Sequence, residues 1–223
     1  MSSEIDWSVF RVSLQVAGLA TVLCVLLGTP LAWWIARARP VLSATLSALA
    51  LLPLVLPPVS VGYYLLYLLG RQSGIGLFLI DDLGIRLVFS WQGAGIAAAV
   101  ASLPLYVRTA QAGFEQISPS LLDVAATMSP PRTRFLRVVL PLAWPSLAAA
   151  TLIALARSIG EFGATVVVAG SIPGRTRTVP AAIYDAVQGG EYGLANALAL
   201  FTLAGGLVLI VALSAVLRRA RHA

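Results

Sequence analysis

Hydrophobic and charged positions along this chain fall into long blocks instead of alternating. Charge-free stretches run from Val12 to Ala36 (25 residues), Pro40 to Gly70 (31), Leu87 to Val107 (21), Val138 to Ala156 (19) and Tyr192 to Leu217 (26). A bilayer core takes about 20 apolar residues of helix, so each stretch has about the length needed to cross. A sixth, Phe162 to Gly174, has 13 residues and reads as a continuation of the fourth helix. The pattern predicts an all-α integral membrane protein, a single transmembrane domain over residues 1–223. Five spans are expected at about 9–36, 41–69, 88–112, 138–169 and 193–217, with a longer loop at about 114–137. The first run follows Glu4 and Asp6 and is too long for the apolar region of a signal peptide.

Charge orients these spans. With five crossings, one set of loops holds nine arginines: Arg37, Arg39, Arg108, Arg132, Arg134, Arg137, Arg218, Arg219 and Arg221. The other set holds four, Arg71, Arg86, Arg175 and Arg177, together with Glu4, Asp6, Asp81, Asp82, Asp185 and Glu191. The arginine-rich side is expected in the cytoplasm, which puts the N-terminus outside and the C-terminus inside.

Composition narrows the chemistry. The chain is 59% hydrophobic and 11% charged, with a mean hydropathy of +0.90, which excludes a soluble or disordered protein. Its single cysteine, Cys24, excludes an internal disulfide, and its single histidine, His222, excludes a Ser–His–Asp triad or a histidine-ligated metal site. All 15 basic residues are arginine. Without lysine there is no P-loop, so this chain does not hydrolyse ATP by that mechanism and active transport would need an outside energy source. The net charge of +6 reflects topology and not nucleic-acid binding, because no basic soluble face exists to carry it.

The spans carry more than an anchor needs. Pro30, Pro53, Pro57, Pro58, Pro104, Pro141 and Pro145 interrupt them. Proline frees backbone carbonyls that lipid cannot satisfy, so such helices are expected inside protein or along a cavity. Gly93, Gly95, Ala97, Ala98, Ala99 and Ala101 make the third span a close-packing helix. Arg157 and Glu161 stand four apart and can pair on one helix face. At about 1.5 Å per residue, Arg157 falls roughly 29 Å beyond Val138, near the far edge of the hydrocarbon. An interfacial pair that ends the span is one reading. A pair beside a solute path is the other, supported by the apolar run Phe162–Ala169 that follows.

In the 114–137 loop, Ser118 suits an N-cap with Pro119 after it, and Ser120 with Asp123 has capping-box spacing. Leu121, Val124, Ala125 and Met128 form an apolar stripe that Ser129-Pro130-Pro131 ends. The run Asp123-Val124-Ala125-Ala126, followed by Leu140-Pro141, resembles the EAA loop of ABC-importer permeases. Aspartate stands where that family has glutamate, and the glycine that usually follows the alanines is absent. The resemblance implies that this loop is a coupling helix docking into an ATPase subunit, with Ser118, Asp123, Ala125, Ala126, Met128, Leu140 and Pro141 as its candidate residues.

A second motif is more specific. Gly160-Glu161-Phe162-Gly163-Ala164-Thr165, then Ile172-Pro173-Gly174-Arg175-Thr176 with Thr178, Pro180 and Ile183-Tyr184, resembles molybdate-import permeases. That resemblance implies an inner-membrane homodimer, multi-pass in membrane lipid, with two copies of a separate ATP-binding subunit that holds ATP and Mg²⁺. It also implies an extracytoplasmic oxyanion-binding protein, and no catalytic residue, metal or cofactor on this chain. Arg157, Gly160, Glu161, Phe162, Gly163 and Thr165 are the pathway or gate candidates. Pro173, Gly174, Arg175 and Arg177 are the outer-loop candidates for meeting the binding protein or the anion. Glu161 is expected to support the pore and not to ligate substrate, because a carboxylate repels a dianion. Sulfate, thiosulfate or tungstate are alternative substrates. A self-sufficient channel or secondary transporter, and a membrane anchor subunit, are the alternatives of other classes.

Overall fold

The computed structural model describes residues 6–221, so Glu4 and His222 lie outside it. All regular structure among the described residues is helical. Helix α1 spans Ser8–Arg37, α2 Pro40–Val55, α3 Pro58–Leu69 and the short α4 Gly74–Leu77. Helix α5 spans Trp91–Glu115, α6 Pro119–Met128, α7 Pro131–Ile159 and α8 Gly163–Ala169. The chain closes with α9, Val179–Gln188, and α10, Tyr192–Arg221. By length and composition α1, α5 and α7 can each cross a membrane, and α2 with α3 makes a fourth crossing if the bent pair is one span. The charge-free run Tyr192–Leu217 lies within α10.

Three of the expected spans differ in shape. The 41–69 run is two helices meeting at 103°, because Leu56 and Pro57 are extended before Pro58 and cannot continue α2. The expected helix over 138–169 stops at Ile159 and resumes at Gly163. In the third run Leu87–Ser90 is a turn, with Phe89 at φ 56° and the Ser90 hydroxyl accepting the Gly93 amide at 3.1 Å to start α5. The loop is also shorter than 114–137. Helix α5 runs on to Glu115, and Pro131 in the first helical turn begins α7, so Arg132, Arg134 and Arg137 stand on a helix.

Two prolines leave a common signature. The π turn Cys24–Gly28 ends two residues before Pro30, and the π turn Phe135–Val139 ends two residues before Pro141. A proline ring collides with the carbonyl one turn back, and the widened turn makes room for it within an unbroken helix.

Helix α5 is the axis of the bundle, packed against α1, α2, α3, α7 and α8. Its small residues explain this: Gly93, Ala94, Gly95, Ala97, Ala98, Ala101 and Ser102 are all buried. A Cβ on Gly95 would stand 2.6 Å from Leu19 Cδ2, and one on Gly28 would stand 2.5 Å from Tyr106 Cδ1. These helices therefore approach at backbone distance. At the far end of α5, Trp33 meets Phe114 and Phe135 edge-on, with centroids at 5.3 and 5.5 Å. Arg37 stacks on Trp33 and donates to the Phe114 carbonyl at 3.1 Å, tying the ends of α1, α5 and α7 together.

Candidate functional site at two helix breaks

The interruption in the fourth expected span is built around one carboxylate. Gly160 ends α7, and Glu161 folds its side chain over the start of α8. One oxygen accepts the Ala164 amide at 2.9 Å, and the other pairs with Arg157 Nη2 at 2.7 Å. The Thr165 hydroxyl donates to the carbonyls of Glu161 and Phe162. Glu161 is 2% exposed and Arg157 29%, so a fully buried negative charge is met by a guanidinium that keeps some access. The break thus recovers part of what the backbone loses.

The pair sits deeper than its distance along the chain suggests. Ser158 and Ser102 share a hydrogen bond of 2.9 Å, and Ser102 lies near the midpoint of α5. Arg157 is therefore level with the middle of the bundle, not its edge. The rise-per-residue argument took Val138 as the membrane edge, whereas Ser158, next to Arg157, lies beside the middle of α5. Beyond the break, α8 continues from the level of Ala97 to the start of α5, where the Val168 carbonyl accepts the Phe89 amide at 3.1 Å.

The α2–α3 bend meets this break. A Cβ on Gly62 would stand 2.8 Å from Val167 Cβ and 2.9 Å from the Ala164 carbonyl oxygen. Both interrupted helices are thus in direct contact just after their interruptions. Phe162 packs on Tyr184 of α9 at 5.1 Å, linking the break to the 170–190 segment. Of the pathway candidates, Arg157, Glu161, Phe162, Gly163 and Thr165 gather here with Gly160 at the turn. Sequence reading missed Pro58 and Gly62 as their counterparts, and Ser102 and Ser158 as the depth marker. A glycine four residues after a double proline in an apolar run was the available signal.

Helix α6 projects from the opposite end of α5. Leu122 packs on the main core and Ala125 is buried, while Leu121, Val124 and Met128 face outward, Met128 at 80% exposure. The expected single stripe thus splits into an inner and an outer face. Ser118 makes no side-chain cap; its hydroxyl bonds that of Ser120 at 2.6 Å, and Asp123 is exposed.

The 171–178 segment separates the two arginines expected to act together. Arg177 pairs with Asp185 at 3.3 Å and donates to the Ser171 hydroxyl. Arg175 is exposed in a turn with Gly174 at φ 71°, where its amide bonds the Ile172 carbonyl. The segment leads into α9, pinned to α1 by the Val179 amide donating to Ser13 at 2.8 Å.

Residues 28–222 match the family described as binding-protein-dependent transport system inner membrane component. The chain belongs to this family. It is 42% identical over 209 residues to the molybdenum transport system permease protein ModB of Azotobacter vinelandii, covering 93% of this chain and 90% of that one. It is 43% identical over 194 residues to ModB of Escherichia coli strain K12, covering 86% and 85%. The sulfate transport system permease protein CysT of Salmonella typhimurium is 32% identical over 206 residues, covering 92% and 74%. Among solved structures, a bacterial ABC transporter involved in the import of the acidic polysaccharide alginate superposes with a TM-score of 0.73 at 18% identity, covering 95% and 78%. The MetNI methionine ABC transporter, in an inward-facing conformation, gives 0.70 at 17% identity and covers 99% of both chains. The family member described here has the fold of those ABC transporter permeases.

Proposed function

We propose that this chain is the translocation subunit of an ATP-driven ABC importer for a tetrahedral oxyanion, and that the anion is molybdate. The observation that carries the reading is the 42% identity to a molybdenum permease over 93% of the chain. In this reading the chain crosses a bacterial inner membrane five times, as α1, α2 with α3, α5, α7 with α8, and α10. Its N-terminus is outside and its C-terminus inside. Two copies form the pathway, two ATP-binding subunits hold ATP and Mg²⁺, and an extracytoplasmic binding protein delivers the anion. This chain performs no chemistry and binds no cofactor.

Each part of the geometry has a task. The outward face of α6, with Leu121, Val124 and Met128, docks on the ATP-binding subunit, and its inner face carries the displacement into the core through Leu122 and Ala125. The two helix breaks are the flexible points at which that displacement opens or closes the path. The Arg157–Glu161 pair holds the second break in register; Glu161 has its charge met by Arg157 and its second oxygen held by the Ala164 amide, and does not confront the passing dianion.

ATPase activity of the reconstituted complex, measured with each oxyanion and its binding protein, tests the proposal. Molybdate is expected to stimulate. Stimulation by sulfate alone would move the assignment to the sulfate branch, which the 32% identity to CysT represents. Uptake that needs no ATP-binding subunit would reject the ABC reading.

A further inference from the structure

Two cavities beside the start of α1 differ in sign. One, of about 260 Å³, is lined by Asp6, Asp185 and Glu191, and its Arg177 is already paired with Asp185. The other, of about 390 Å³, lies between the start of α1, the start of α5 and the turn at 174–176. Arg11 and Arg175 line this second cavity with Gln15, Gln92, Ser90 and Thr176, and no carboxylate does. Among the described residues, neither Arg11 nor Arg175 forms an ion pair, whereas Arg71 pairs with Asp81 and Arg177 with Asp185.

We propose that this second cavity is a capture site for a free tetrahedral oxyanion, with Arg11 and Arg175 as its charged ligands. The inference rests on the importer reading, which supplies the oxyanion and makes this end of the bundle the outer face. A guanidinium offers five N–H donors in a fixed fork, suited to two oxygens of one anion. Arg11 spends one of them on the carbonyl of Gly174, the residue before Arg175, at 3.5 Å. Gln15, Gln92, Ser90 and Thr176 supply neutral polar groups of the kind that complete an anion's shell. The volume exceeds many times the about 30 Å³ that a water occupies, so an anion enters with part of its hydration and binds weakly. Weak binding suits a site that must release its anion, and a cavity lined by one sign of charge concentrates the opposite ion locally. Asp6 lines the acidic cavity and not this one, although its charge still reaches Arg11.

Equilibrium binding of labelled inorganic molybdate to the permease–ATPase complex in nanodiscs, without binding protein, tests this. Saturable binding is expected that weakens on raising salt, because the two arginines are accessible to counterions. Arg11→Gln with Arg175→Gln is expected to lower the affinity at least tenfold, and Arg175→Lys to retain part of it. Arg71→Gln removes one positive charge elsewhere and is expected to change nothing. Variant complexes are first checked for unchanged melting temperature; Arg175→Lys carries the test if the double variant fails to fold. Absence of saturable binding in the parent, or an equal loss in Arg71→Gln, overturns the proposal. So does unchanged molybdate affinity with weakened docking of the anion-free binding protein, which would assign the cavity to a protein carboxylate. Uptake by the full system is measured in parallel. A parent that imports molybdate without binding it here sinks this inference alone, and one that binds it here but imports none sinks the importer assignment alone.

Discussion

Gly163 stands so close to Pro58 that a Cβ on the glycine would lie 2.8 Å from the proline Cβ. The two interruptions of the bundle are therefore joined across a contact that admits only hydrogen. Pro58 is the first residue of α3 and Gly163 the first of α8.

Gly163→Val fills that contact. Overpacking of this kind costs about 1–3 kcal/mol, and the branched side chain is expected to push the two breaks apart. Uptake is expected to fall with a lower melting temperature of the complex. Gly18→Ala, at a position with open space around it, is the control and is expected to leave both unchanged. A Gly163→Val protein that melts and transports like the parent would remove the contact from the mechanism.

Glu161 both caps α8 and pairs with Arg157. Glu161→Gln keeps an oxygen for the Ala164 amide but leaves Arg157 without its counter-charge; Glu161→Ala loses both. Breaking a buried pair costs about 3–5 kcal/mol, and the 29% exposure of Arg157 pulls the expected loss to the lower end. The expected order of stability is parent, then Gln, then Ala, and Arg157→Leu with Glu161→Leu is expected to recover part of the loss. Thermal unfolding in detergent gives the order, and equal stability of parent and Ala variant would show the pair to be idle.

On α6 the position of each side chain decides what its replacement does. Val124→Glu and Met128→Glu put charge on the outward face, so the ATP-binding subunit is expected to be lost on co-purification while the permease melts normally. Ala125 is buried against the permease's own core, so Ala125→Arg is expected to destabilise the permease itself. Retention of the ATP-binding subunit by both outward variants would relocate the docking site.

Ser102→Ala removes one partner of Ser158, whose hydroxyl still donates to the Ala154 carbonyl at 2.8 Å. The expected cost is about 1 kcal/mol or less. Ser102→Leu, between buried neighbours at the same point, is expected to prevent assembly of the bundle. Expression and size-exclusion profiles of the two variants separate the hydrogen bond from the space it occupies.

Hydropathy made the apolar helices legible because lipid solvation acts on long averages. It did not resolve what happens inside a run. The 31 charge-free residues Pro40–Gly70 read as one span, yet the bend at Leu56–Pro57 lies in a pair of dihedral angles that no average records. The prolines signalled trouble, and only tertiary contact decided which of them bends a helix and which is absorbed by a π turn. Arg157 and Glu161 were correctly paired from their spacing, but their depth came from Ser102, 56 residues from Ser158 in sequence. Arg175 and Arg177 looked equivalent because Asp185, which occupies one of them, lies in a helix that the loop-like composition concealed.

The alanine- and glycine-lined α5 has a consequence for how the sequence can drift. The buried face of its first half, from Gly93 to Ser102, is made of glycine, alanine and serine, already near the smallest side chains available. Substitutions on that face can change the bundle only by enlarging it. Neutral variation is therefore expected to collect on α2 and α10, whose apolar side chains can be exchanged for one another, while α5 stays nearly fixed in volume. A library of single substitutions scored for function would reveal α5 as a narrow band of intolerance running through an otherwise permissive chain.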